Sequence, residues 1–117
     1  MSDDTNLAGK TCVPCQGGVP RLDLDTSKQV ISRLEGWGLN DDATRIERHF
    51  TFSNFADAQV FCNKVGDLAE REGHHPDINL GWGYCTVTFQ THKIRGLHEN
   101  DFIMAAKVNE IADGNTD

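Results

Sequence analysis

The chain has 117 residues, enough for one domain that buries roughly two-thirds of its unfolded surface without disulfides or metal. Eighteen acidic against eleven basic residues give a net charge of -7; with no Lys/Arg cluster, this argues against direct nucleic-acid binding, whose affinity rests on phosphate contacts. No apolar run approaches the roughly 20 residues of a bilayer span, and the opening MSDDTNLAGK lacks the apolar stretch of a secretory signal, so the cytoplasm is the expected compartment and the four cysteines are expected as thiols.

Residues 1–20 are polar and rich in chain breakers (Gly9, Pro14, Gly17, Gly18, Pro20), and read as a flexible arm. Residues 21–114 read as a single domain and 115–117 as a tail. The first helix is expected over 26–35, capped by Asp25 and stopped at Gly36, with Val30, Ile31 and Leu34 as its apolar stripe. Trp37 packs where the chain turns. A short strand around Gly38-Leu39 and the turn Asn40-Asp41-Asp42 lead to RIERHFTF at 45–52, where Ile46, Phe50 and Phe52 alternate with Glu47, His49 and Thr51. Arg48 breaks that alternation.

Ser53 or Asn54 opens the longest helix, whose apolar residues Phe55, Ala58, Cys62, Val65 and Ala69 follow the helical period, with Phe61 and Leu68 beside them. Gly73 stops it. Beyond Pro76 the period is two again: Ile78, Leu80 and Trp82 alternate with Asp77, Asn79 and Gly81, and a hairpin turns at 81–83. The return strand, 84–92, sends Cys85, Val87 and Phe89 inward and His92 outward with the polar set. A last helix spans about 99–112, buried through Phe102, Ile103, Ala106 and Ile111. The order predicts an α+β fold: a four-stranded antiparallel sheet with helices packed on one face, a two-layer α/β sandwich whose other face is wet or partly covered by a partner subunit.

Three histidines stand out. A turn centred near 82–83 gives a hairpin pairing sum near 165, which sets residue 74 opposite residue 91. His74 and His75 thus meet His92 at one end of the sheet. An imidazole titrates near pH 6.5 and can give or take a proton, so such a pair suits elimination of water. Packing of adjacent histidines at a helix end, or metal binding, would use the same residues.

The spacing of five features carries a resemblance. Glu70 is followed after three residues by His74-His75-Pro76, after five more by Trp82, after nine by His92 and after eight by Asp101. This pattern, with GW at 36–37, FTFSNF and HPDINLGWGY, resembles the pterin-4a-carbinolamine dehydratases over residues 37–111. The resemblance implies an α+β sandwich and a hydro-lyase that converts 4a-hydroxytetrahydropterin to quinonoid dihydropterin and water, recycling the pterin of aromatic amino acid hydroxylases. It implies His74 and His92 as the acid/base pair, and His75, Trp82, Asp101 and Glu70 around the substrate. It implies no metal or organic cofactor, a homodimer or homotetramer, a functional link to a hydroxylase, and no nucleic-acid or membrane partner. The alternative is a non-enzymatic dimerisation or adaptor module.

The chain departs from some relatives in carrying Gly73 where they have Asp. His98 stands where a helix cap is expected and reads as a surface residue. Asp101, in that helix's first turn, reads as mainly structural. Glu70 reads as an exposed helix charge, with orientation of a histidine as the alternative, and Trp82 as core or pocket wall. His49 reads as a bystander. Cys12-x-x-Cys15 reads as two thiols in the arm, since Cys62 and Cys85 are single and core-facing.

Overall fold

The computed structural model describes residues 7–12 and 20–114. Three helices, α1 (Leu24–Ile31), α2 (Phe55–Glu72) and α3 (Glu99–Ala112), accompany four strands, β1 (Gly38–Leu39), β2 (Ile46–Thr51), β3 (Asp77–Gly81) and β4 (Tyr84–Phe89). The strands form one antiparallel sheet in the order β1-β2-β4-β3. The expected α+β architecture and element order are those observed.

Period-two alternation sets the layers. Ile46 and Phe50 of β2 and Cys85, Val87 and Phe89 of β4 are buried, while Glu47, His49 and Thr51 stay exposed. Against this apolar face pack Ala58, Phe61, Val65, Leu68 and Ala69 of α2. The buried stripe of α2 is therefore centred on Phe61 and Leu68; Phe55 is exposed and Cys62 half-buried. Helix α3 is buried nearly all round through Phe102, Ile103, Met104, Ala105, Val108 and Ile111. Fully burying one such side chain stabilises the fold by about 1.5–3 kcal/mol.

Arg48 falls on the inner side of β2. Its guanidinium lies 4.4 Å from the Phe50 ring centre and donates to Glu35 O at 2.9 Å and Asn109 Oδ1 at 2.7 Å, which is how a charge is accommodated in an apolar row.

Three boundaries differ from expectation. Helix α1 starts earlier, because Asp23 rather than Asp25 caps it, its Oδ1 accepting from Thr26 N at 2.7 Å. It also ends earlier: Arg33 and Leu34 donate to Val30 O and Ile31 O, and Trp37, whose indole donates to Asn109 Oδ1 at 2.8 Å, draws the chain toward β1. Strand β4 stops at Phe89, short of His92. The described part of the arm, residues 7–12, is packed on the domain, with Leu7 in the core.

Candidate active site

Helix α2 is capped by Asn54, whose Oδ1 accepts from Asp57 N at 2.8 Å, and ends at Gly73. Gly73 adopts the left-handed conformation (φ 70°) and donates to Ala69 O at 2.9 Å, so the chain leaves the helix sharply and delivers His74 and His75 before Pro76 leads into β3 at Asp77. Every pair in the β3–β4 ladder sums to 165, as the turn position predicted, with Asp77 opposite Thr88. Beyond the ladder the return chain bends. Thr91 bridges Gly96 around a 3-10 turn, His92–Ile94, closed by Arg95 in the left-handed region. His92 therefore sits on a turn and not on the polar face of a strand. The bend still leaves it beside the other two: His74, His75 and His92 line one cavity of about 270 Å³, with Thr91, Lys93 and Asn100. That volume is near the low end for small-ligand pockets, about 300 Å³.

Behind His74 lies Asp101, whose side chain is fully buried. Its Oδ1 is 2.6 Å from His74 Nε2, and its Oδ2 accepts from Thr91 Oγ1 at 2.7 Å and from His98 N at 2.9 Å. An acceptor carboxylate against Nε2 places the ring proton there and leaves Nδ1 with the free lone pair. The imidazole is only 12% exposed and stacks near Phe89, at 6.1 Å between ring centres. Asp101 thus completes the helix start, the structural role read from the sequence, and instead of lining the cavity it holds a histidine that does. His98 is no bystander. Its Nδ1 accepts from Asn100 N at 3.0 Å, forming a capping box with Asp101.

Glu70 is exposed and holds His75, with Oε2 at 2.5 Å from Nε2. Both side chains are open to water, so the pair orients a ring more than it adds stability. Trp82 does not join this group. It sits in the β3–β4 turn, at the opposite end of the hairpin from Asp77 and Thr88, and is 72% exposed, neither core nor cavity wall. The alternation of β3 that placed it inside ends at Gly81. His49 stays out as expected, stacked on Tyr84 and hydrogen-bonded to Thr86 Oγ1 at 2.7 Å on the open sheet face.

Thr91 and Asn100 were not foreseen. Both are buried polar residues past the end of the ladder, where no period flags them. A larger cavity of about 590 Å³ runs between β2, α2 and the end of α3; it shares no lining residue with the histidine cavity and carries one histidine, His49, with Asp57, Lys64 and Asp113. Among the described residues no group of three His, Cys, Asp or Glu side chains is placed to hold a metal ion, and no helix is long and apolar enough to cross a membrane. Cys15 lies outside the described residues. Cys12 is half-buried, and burial, with the Glu72 carboxylate beside it, pushes its thiol up to about 12.

Comparison with known proteins places the chain in a family. A protein of Methylococcus capsulatus named for pterin-4-alpha-carbinolamine dehydratase is 56% identical over 110 residues, covering 94% of this chain and 96% of its own. One from Cupriavidus pinatubonensis with the same name is 53% identical over 110 residues, covering 94% and 95%. A crystal structure described as a transcriptional coactivator/pterin dehydratase from Brucella melitensis superposes with TM-score 0.74 at 34% identity, covering 79% of this chain and 98% of that one. A pterin dehydratase-like protein described as a RuBisCO assembly factor in the alpha-carboxysome superposes with TM-score 0.57 at 25% identity, covering 67% and 90%. The profile of the pterin 4 alpha carbinolamine dehydratases matches residues 20–111, and the chain belongs to that family of hydro-lyases.

Proposed function

We propose that this chain dehydrates a 4a-hydroxytetrahydropterin to a quinonoid dihydropterin and water, with His74 and His92 as the acid/base pair. The observation that carries the reading is the His74 ring, clamped by buried Asp101 in the cavity that His92 also lines. His74 keeps a lone pair on Nδ1 and takes a proton from a ring N–H of the substrate. His92, exposed on its turn, protonates the departing hydroxyl. The C4a–O bond breaks as the ring-nitrogen lone pair becomes the new C=N bond; the water carries the proton of His92, and the proton held by His74 returns to His92 through solvent, so the count closes over the cycle. His75, steered by Glu70, contacts the substrate. General acid–base help of this kind contributes about 10²–10⁴-fold. The substrate is supplied by turnover of a pterin-dependent aromatic amino acid hydroxylase, and the protein acts as a homo-oligomer.

Stopped-flow dehydration of synthetic 4a-hydroxytetrahydropterin tests this. The protein is expected to accelerate the reaction over buffer, and His74→Ala and His92→Ala each to lose about 10²-fold in kcat/KM. Variants as fast as the parent would overturn the assignment. The descriptions of the two solved relatives favour a second reading, a protein-binding adaptor; under it both variants keep partner binding intact and the parent shows no acceleration.

A further inference from the structure

The arm meets the domain behind the active site, outside the family-matched residues 20–111. Leu7 is buried in the core, and Lys107 donates to Ala8 O at 2.8 Å. Cys12 N donates to Glu72 Oε1 at 3.0 Å, and Glu72 Oε2 lies 3.9 Å from Lys107 Nζ, both side chains 16% exposed. Lys10 pairs with Glu99 at 2.7 Å, and Cys12 Sγ lies 3.9 Å from Asn100 O. These contacts share a pattern. Glu72 is the last residue of α2, directly before Gly73 and His74; Glu99 and Asn100 open α3, directly before Asp101. One short segment therefore bonds to both helix ends whose next residues make the His74–Asp101 hydrogen bond.

We propose that residues 7–12 form a strap that sets the distance between the end of α2 and the start of α3, with Glu72 the positioning residue through which it acts on His74 and Asp101. The proposal rests on reading that pair as catalytic machinery. Gly73 cannot brace the junction itself: it has no side chain, and nothing lies within 4 Å of where its Cβ would be. Glu72 is the adjacent residue with a side chain to anchor, and it reaches the Cys12 amide and Lys107. A 2.6 Å hydrogen bond tolerates only a few tenths of an ångström of drift before it weakens. Misplacement by about 1 Å can lower a rate about 10²-fold. Losing the brace without losing the fold is expected to give a smaller drop.

The test uses full-length protein carrying Glu72→Ala, Leu7→Asp or the conservative Glu72→Gln, which keeps an acceptor for the Cys12 amide. Kinetics of 4a-hydroxytetrahydropterin dehydration, the pH profile of kcat and the imidazole ¹⁵N shifts of His74 are read on folded samples. Glu72→Ala and Leu7→Asp are expected to lower kcat about tenfold with KM within about twofold, to displace the pH profile and to move the His74 Nε2 signal. Glu72→Gln is expected to keep most of the rate. Unchanged kcat, pH profile and ¹⁵N shifts beside a lowered Tm would reduce the segment to packing and overturn the proposal. If Leu7→Asp fails to fold, the Glu72 pair decides. If the parent itself shows no dehydration, the proposed function fails, and the ¹⁵N shifts, which need no turnover, still judge the strap.

Discussion

Replacing Asp101 by Asn separates the role of its charge from that of its shape. Two donors, Thr91 Oγ1–H and His98 N–H, converge on Oδ2, while His74 Nε2 faces Oδ1. The amide oxygen of Asn must take the Oδ2 position, since the reverse orientation would press an NH₂ against two donors in a buried site. The amide nitrogen then faces His74 Nε2, which must accept, and the ring proton moves to Nδ1. The lone pair proposed to take the substrate proton is gone. A drop in kcat of about 10²–10⁴-fold follows, the range for losing acid–base catalysis. KM should change little, because Asp101 does not line the cavity. Two hydrogen bonds to a charge become bonds to a neutral amide and the third reverses, lowering stability by about 1–3 kcal/mol. Stopped-flow kinetics give the first quantity, urea unfolding the second, and the ¹⁵N shifts of His74 report the tautomer directly. A variant with parental kcat, or one that keeps its proton on Nε2 while kcat collapses, would refute this reasoning.

Other outcomes follow from the same geometry. Trp82→Ala should leave KM for the pterin within about twofold, as its distance from the histidines requires; a tenfold rise in a steady-state assay would bring the residue back to the site. Gly73→Ala should lower stability by about 1–2 kcal/mol through its left-handed backbone alone, since its Cβ meets nothing, and chemical denaturation measures this. The Cys12 and Cys85 thiols are raised from 9.0 to about 12 and about 11, chiefly by burial. The folded state therefore holds those protons more tightly than the unfolded chain. The stability this gives is full below pH 9 and lost as pH climbs through 11 and 12. Alkylation at pH 8, mapped by peptide mass spectrometry, should be slow at both residues, and rapid labelling of the buried Cys85 or of the raised Cys12 thiol would contradict this.

What the sequence made legible was whatever repeats locally. The two-residue period of 46–51 and 84–89 located the strands, and the glycine after Glu72 located the end of α2. Because pairing is a sum, the turn position alone brought His74 near residue 91. The illegible parts lie where periodicity stops. The 3-10 turn at His92, the capping role of His98 and the burial of Thr91 depend on a bridge to Gly96 and on a carboxylate that only the assembled fold encloses. Trp82 misleads for another reason: its spacing fits the family pattern, although the turn at 81–83 already set it at the far end of the hairpin from His74. The packing of residues 7–12 was hidden because the arm around them is polar and rich in breakers, and only Leu7 and Cys12 reach the core.

The carboxylate that starts α3 is the one that holds the imidazole. First turns of helices fray far more readily than cores open. Under the proposed function, each brief unwinding of the first turn, from Glu99 to Phe102, therefore frees the His74 ring while the sheet beneath stays intact. On warming, turnover should fade ahead of the main melting transition, and any redesign meant to tighten this helix start must be screened as an active-site mutation.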